Sequence, residues 1–287
     1  MVIAVTGASG QLGRLVIEKL IERGTDPALI VGLARTTEKA ADLAARGVEI
    51  RHADYSDPST LTSALSGVNR LVLVSGSEIG QRAAQHLNVI LAAKAAGVSF
   101  IAYTSLLNAD ASTLGLAVEH RATSADLESA GIPYVELRNG WYTENYTGGL
   151  APILAAGTLH GAAGDGRIAS ATRADYAEAA AAVVLAADAA SGTVYELGGD
   201  EPHTLAELAR VVSEVSGTPV AYENLTADAL RDLQIANGVP EGWADFAAAT
   251  DTGIAGGDLD TDSRDLSALI GRPTTSLADA VAAALRD

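Results

Sequence analysis

The sequence predicts an α/β fold, a doubly wound parallel sheet with a smaller, mostly helical C-terminal domain, and three observations carry that prediction. Short strand-like runs recur at 2–5, 28–34, 48–52, 70–74, 100–105 and 134–138, and the first, Val2 to Val5, is apolar with no polar alternation, as expected of a strand buried on both faces. Segments of helical periodicity alternate with them across short links, the pattern of parallel strands joined by crossover helices. The residues at the strand tips, Thr6, Arg35, Asp54, Ser75, Thr104 and Asn139, are all polar, and ligands of such sheets bind at the carboxyl ends of the strands.

The first run, Val2 to Val5, leads directly into Thr6-Gly7-Ala8-Ser9-Gly10-Gln11-Leu12-Gly13 and a helix over 14–23. Leu12, Leu15, Val16, Leu20 and Ile21 form one apolar stripe of that helix. Gly7 allows the turn, Gly10 a close approach of backbone to ligand, and Gly13 close packing of helix on strand. Free N–H groups at the helix start then suit a diphosphate. The spacing is Gly-x-x-Gly-x-x-Gly rather than the usual Gly-x-Gly-x-x-Gly. A bare structural turn also fits three glycines; the strand-turn-helix context at the start of the chain favours a nucleotide cofactor.

The second strand ends at Arg35, where a dinucleotide site commonly has an acidic residue for the ribose hydroxyls. Arg35, with Lys39 one helical turn later, suits a 2′-phosphate and favours NADP (NADPH) over NAD; two solvated charges opening a helix over 37–46 are the plainer alternative. After the strand at 48–52, Asp54 is placed either to meet an adenine amino group or to cap a helix, and Tyr55 follows it. Asp57-Pro58 is a helix entry signal. Ser75-Gly76-Ser77, closing the fourth strand, is a small polar turn that admits a ligand and also suits any turn. Helices are expected over 79–96 and 114–130, on either side of the fifth strand.

Beyond the sixth strand the pattern changes. Asn139-Gly140-Trp141-Tyr142-Thr143-Glu144-Asn145-Tyr146 concentrates aromatics in a chain with only twelve. It reads equally as the wall of a pocket for a flat apolar ligand and as a hydrophobic anchor between two domains. A helix over 171–187 starts with Thr172 as N-cap and Asp175 in a capping-box position; Arg173 is read first as helix-start electrostatics and second as a cofactor contact. A seventh strand at 194–197 returns to the sheet, and helices follow at 204–216, 226–237, 243–250 and 277–285, with a short strand at 220–222. Residues 1–140, with 168–200 returning, are expected to form the dinucleotide-binding domain, and 141–167 with 201–287 a substrate-side lid. Trp243 and Phe246, three apart on one helix, read as core rather than pocket.

Composition narrows the function classes. The 287 residues carry 19 Lys plus Arg against 36 Asp plus Glu, a formal charge of −17, which repels nucleic acid and acidic membranes. There is no cysteine, so thiolate chemistry and disulfides are excluded. The five histidines lack metal-ligand spacing, and no metal is expected. No membrane span or signal sequence is read, and a cytoplasmic protein is expected.

Five segments in register carry a family resemblance: Thr-Gly-Ala-Ser-Gly-Gln-Leu-Gly at 6–13, Ala-Asp-Tyr at 53–55, Ile-Ala-Tyr-Thr-Ser-Leu-Leu at 101–107, Leu-Arg-Asn-Gly-Trp-Tyr-Thr-Glu-Asn-Tyr at 137–146 and Ala-Ser-Ala-Thr-Arg-Ala-Asp-Tyr at 169–176. Together the chain resembles the type 2 NAD(P)H:quinone oxidoreductases, atypical short-chain dehydrogenase/reductases near the NmrA-like proteins and the triphenylmethane dye reductases. The resemblance spans the whole chain and implies a Rossmann sheet with cofactor contacts at Gly7 to Leu12, Arg35, Ser75 to Ser77 and Asn139 to Glu144. Two positions depart from the family pattern: Gly76 replaces a serine, and Ser124 replaces an acidic residue four positions after His120.

The Tyr-x-x-x-Lys pair of ordinary short-chain dehydrogenases is missing, because Lys19, Lys39 and Lys94 follow Leu15, Arg35 and Ile90 at that spacing. A quinone makes a smaller demand, since it accepts hydride readily and leaves a stabilised phenolate; the enzyme chiefly holds the ring in place and excludes water. Proton-donor candidates are Tyr142, His120 and Tyr103, in that order, with His120 read also as a structural helix histidine. A cationic dye or activated alkene as acceptor, and a non-enzymatic NADP-sensing regulator of the NmrA-like kind, are the alternatives. The apolar faces of the fourth and fifth helices leave room for a homodimer.

Overall fold

The computed structural model describes residues 1–186 and 190–286. In chain order the strands are β1 (Ile3–Val5), β2 (Ile30–Ala34), β3 (Glu49–His52), β4 (Arg70–Leu73), β5 (Phe100–Leu106), β6 (Tyr134–Asn139), β7 (Thr158–Gly161), β8 (Thr193–Leu197) and β9 (Ala221–Asn224). The helices are α1 (Gln11–Glu22), α2 (Ala41–Ala45), α3 (Pro58–Ala64), α4 (Arg82–Ala96), α5 (Gly115–Ala130), α6 (Glu144–Thr147), α7 (Leu150–Ala156), α8 (Arg173–Leu185), α9 (Leu205–Ser216), α10 (Ala227–Ala236), α11 (Glu241–Ala255), α12 (Asp265–Ile270) and α13 (Leu277–Ala284).

Seven strands form one parallel sheet in the order β3-β2-β1-β4-β5-β6-β8. The winding reverses between β1 and β4, and such a switch point opens a crevice at the strand tips. The central strands are completely buried, as β1, β2 and β5 show, because helices cover both faces. One apolar cluster packs α1, α8 and α12 on one face; a second packs α3, α4 and α5 on the other. A third lies among α5, α7, α9, α11, α13 and the small parallel pair β7-β9.

Several expected elements are displaced for identifiable reasons. The helix expected over 79–96 starts only at Arg82, because Gly80 adopts φ +84° and breaks it. The strand expected from 28 begins at Ile30, since Pro27–Leu29 forms a 3₁₀ turn capped by Asp26. The helix expected over 37–46 divides into a 3₁₀ turn, Thr37–Ala40, and the short α2. α8 runs Arg173–Leu185, and its expected end at Ala187 lies outside the described residues. Asp57 and Pro58 do open α3, with the Asp57 carboxylate accepting the Ser59 N–H. Neither β7 nor α12 was expected, and α12, anticipated as part of the lid, packs on α8 and β8 through Leu266 and Ile270.

The cap at Thr172 is half of the expected box. Its hydroxyl accepts the Asp175 N–H, while the fully buried Asp175 carboxylate pairs with Arg272 at 2.8 Å and accepts the Thr275 N–H at 3.0 Å. Asp175 therefore ties the start of α8 to the segment preceding α13. The complete box is at Thr204 and Glu207, opening α9.

Gly13 is the tightest point of the first crossover: a Cβ there would stand 2.3 Å from the Gly7 carbonyl oxygen and 2.7 Å from that of Thr6. Gly13→Ala should lower stability by about 1–3 kcal/mol through overpacking and abolish nucleotide binding, measured by thermal denaturation and calorimetry. Gly115→Ala, where an added Cβ meets nothing within 4 Å, should leave both unchanged or raise the melting temperature.

Candidate functional site

A cleft of about 530 Å³ opens over the tips of β1, β2 and β4. Its floor is the turn of Gly7, Ser9, Gly10, Gln11, Leu12 and Gly13, with Ala8 buried directly beneath. Gly7 takes φ +62°, and its carbonyl accepts the Gly10 N–H at 2.8 Å. Gly10 caps α1 without a side-chain hydrogen bond, and the amides of Gln11, Leu12 and Gly13 have no acceptor among the described residues. Three donors at the positive end of a helix are thus left facing the cleft, an anion site of the kind that holds a diphosphate.

At the β2 end stand Arg35, Thr36 and Lys39, with Asp54 and Tyr55 opposite. Asp54 does not cap α3; its carboxylate accepts the Ser56 N–H at 2.9 Å in a local turn. The Tyr55 hydroxyl donates to the Val74 carbonyl at 2.7 Å, and burial raises its pKa. Arg35 Nη1 donates to Glu78 Oε1 at 2.7 Å. That pairing raises the Arg35 pKa and lowers that of Glu78.

Ser75, Gly76, Ser77 and Glu78 form the facing wall, held by a buried polar cluster that the sequence does not display. Ser75 N–H donates to Thr104 Oγ1 and Gly76 N–H to His86 Nε2, both at 2.9 Å. Arg82 Nε donates to the Gly76 carbonyl at 2.7 Å, while its Nη1 pairs with Glu119 at 2.8 Å. Because His86 Nε2 accepts, the ring is the neutral Nδ1–H tautomer, 3.0 Å from Thr123 Oγ1. Burial, helped by the Arg82 charge, lowers the pKa of His86 to about 3.

Tyr142 forms the far wall, with the Arg173 guanidinium 4.5 Å over its ring and Tyr176 against its edge. Burial raises the Tyr142 pKa. Glu144 does not line the cleft: its carboxylate accepts the Arg173 N–H at 2.9 Å and pairs with the guanidinium at 3.5 Å, so it positions Arg173. Arg173 consequently both opens α8 and faces the cleft.

Other expected site residues lie elsewhere. Tyr103 is fully buried and shares a 2.6 Å hydrogen bond with the buried His120, away from the cleft lining. Tyr103 is therefore not placed to pass a proton directly to a ligand there. Burial lowers His120 to about 3, and Ser124, whose hydroxyl donates to the His120 carbonyl, gives it no acidic partner. Thr104 and Thr143 are buried supports, the latter 3.0 Å from Ser170 Oγ. Asn139 is buried at the β6 tip, both its amide atoms without a hydrogen-bond partner among the described residues, and Gly140 admits no Cβ between Ala169, Leu197 and Tyr176. Trp141 turns away from Tyr142 to stack on Phe246, 6.4 Å between centroids, in the third cluster.

The expectation that Trp243 is core is corrected: it is 59% exposed, edge-on to Phe246. The inner side of α11 is Ala244, Ala248, Asp251 and Ile254, and Trp243 falls beside that stripe. Glu78 and Gln85 are cleft residues that sequence reasoning missed. The available signal was an acidic residue immediately after Ser77, hidden by the expectation that a helix began at 79.

The sheet order, the switch-point cleft and the open helix start define the class: a Rossmann-type α/β protein with a nucleotide-shaped site. The chain belongs to the NmrA-like family, whose model matches residues 1–260. It is 55% identical to Quinone oxidoreductase 2 of Escherichia coli (strain K12), over 97% of each chain. The crystal structure of the Escherichia coli NADPH-dependent quinone oxidoreductase complexed with NADPH superposes with TM-score 0.95 at 53% identity, covering 99% of this chain and 100% of that one. The Citrobacter sp. triphenylmethane reductase complexed with NADP(H) matches with TM-score 0.94 at 38% identity, over 98% and 99% of the two chains. Among the described residues no helix is long and apolar enough to cross a membrane.

His86 and His120 are held neutral, with values near 3 against an ordinary 6.5. Their contribution to stability is complete above pH 6.5 and is lost as pH falls from 6.5 towards 3. At pH 5 each should cost about 2 kcal/mol relative to neutral pH, seen as a falling urea midpoint. The double variant His86→Asn/His120→Gln should flatten that dependence, and an unchanged slope would refute the assignment.

Proposed function

We propose that this protein is an NADPH-dependent quinone oxidoreductase. The observation that carries the reading is one cleft that joins a basic strand tip, Arg35 with Lys39, to a flat aromatic wall, Tyr142 beneath Arg173. The residues present fit the cofactor. Gly13 leaves no room for a side chain, the first-turn amides of α1 are open, and β2 ends in a guanidinium instead of a carboxylate. When bound, NADPH supplies the hydride.

The chain's own residues bind, orient and stabilise charge. The turn at Gly7 to Gly13 would hold the diphosphate, Arg35 and Lys39 the 2′-phosphate, and the wall at Ser75 to Ser77 the ribose. Tyr142 supplies a flat surface for the quinone ring, and Arg173 favours the negative charge developing on its oxygen. Tyr142 is the proton donor of the three candidates, since it alone reaches the cleft; His120 and Tyr103 support the wall from behind. Residues 141–167 and 201–287, apart from α12 packed on the sheet side, form the substrate-side unit in this reading, and the enzyme works in the cytoplasm. The likeness to the triphenylmethane reductase favours a cationic dye as second acceptor class.

Leu87 and Leu91 on α4 and Val118 on α5 are exposed, and we assign them to a homodimer contact. Light scattering should report a dimer that Leu91→Glu converts to monomer.

Purified protein should oxidise NADPH with benzoquinones and naphthoquinones, and failure across such a panel would sink the reading. Arg35→Asp should lower kcat/KM for NADPH by roughly 10- to 100-fold, the scale of losing a charge-assisted partner and gaining a repelling carboxylate. The loss with NADH should be much smaller. Tyr142→Phe should reduce kcat by about tenfold at most, within the lower range of general-acid contributions, because solvent can also protonate the phenolate.

A further inference from the structure

Glu78 stands across the cleft from the β2 tip, and its carboxylate is held at both oxygens. Oε1 accepts from Arg35 Nη1 at 2.7 Å, and Oε2 accepts from Gln85 Nε2 at 2.9 Å. Gln85 is itself buried and donates to Ser56 Oγ at 3.1 Å. Glu78 is thus aimed at Arg35 by a fixed partner, unlike a surface ion pair between two free side chains. Arg35 and Lys39 make no other ion pair among the described residues; Asp54 faces the same tip without bonding to it, so Glu78 is the carboxylate that engages Arg35 directly.

We infer that Glu78 competes internally with the 2′-phosphate for Arg35 and so limits the preference for NADPH over NADH. This rests on the reading that Arg35 meets that phosphate. A phosphate of nearly two negative charges cannot share the guanidinium with a carboxylate without repulsion, so Glu78 must leave Arg35 when it arrives. A cofactor with a free 2′-hydroxyl imposes no such exchange, because a neutral hydroxyl does not contend with the carboxylate for the guanidinium. The side chain is the part that moves. Its loop is tied on one flank by Gly76 to His86 and Arg82, and on the other by the N–H groups of Gly80 and Arg82, which donate to Glu119 at 3.1 and 3.0 Å.

The test is titration calorimetry with 2′,5′-ADP and with ADP on wild type, Glu78→Gln and Glu78→Ala. Both substitutions remove the charge at a partly exposed loop position, and unchanged thermal denaturation verifies folding. In both variants the Kd for 2′,5′-ADP should fall about three- to tenfold, the scale set by one released ion pair and one relieved repulsion. The Kd for ADP should stay within about twofold, since only the phosphate competes, and the ratio of KM values for NADH and NADPH should rise in step. Unchanged or weaker binding of 2′,5′-ADP in both variants would overturn the competition and make Glu78 a support of the site. If wild type binds 2′,5′-ADP no better than ADP and Arg35→Asp makes no difference, the reading of Arg35 itself fails and the competition falls with it. A wild-type preference that Arg35→Asp removes but Glu78 substitutions leave untouched overturns the competition alone.

Discussion

The close contact of Gly13 with the backbone of Thr6 and Gly7 governs the rest of the site. It lets α1 begin almost on top of β1, without a side-chain cap, so the first-turn amides point over the strand tip. β1 lies between β2 and β4 in the sheet, and the helix start is therefore equidistant in the topology from Arg35 on one side and the Ser75 to Glu78 wall on the other. A diphosphate held there would lie between the basic tip of β2 and the polar wall that follows β4.

The wall after β4 is held by buried polar groups rather than by apolar packing. A buried ion pair such as Arg82 with Glu119 contributes little net stability against the cost of desolvation, but it fixes geometry. Here it fixes a loop whose backbone groups are shared out among Thr104, His86 and Arg82. On the opposite side Glu144 places Arg173 over Tyr142. Both walls therefore depend on residues that need not touch a ligand themselves.

The architecture was legible because it rests on local rules. Fully buried strands read as apolar runs, and β1 to β6 lie within a few residues of expectation. The glycine turn and Arg35 were legible because one needs small residues and the other interrupts a common acidic position. What the sequence left open or missed were features decided between distant segments. Trp141 and Tyr142 are adjacent, yet one joins Phe246 and the other Arg173, since successive residues of an extended segment face opposite ways. Trp243 lies outside its helix's buried stripe, which follows from where α11 packs and not from its i, i+3 spacing. Tyr103 and His120 were legible as polar residues on the right strand and helix, but their mutual hydrogen bond places them in the interior.

By itself the sequence determined the alternation of β1 to β6 with their crossover helices, the open phosphate turn, the basic character of the β2 tip and the absence of a tyrosine-lysine acid pair. Each is a matter of residue type at short spacing, where backbone sterics and periodicity act without reference to the rest of the chain. Only the tertiary structure decided that Glu78 reaches Arg35, that Glu144 serves Arg173, and that Tyr142 alone of the three proton-donor candidates meets the cleft. Those outcomes depend on distances between segments separated by tens of residues in the chain, which packing sets and local preference does not.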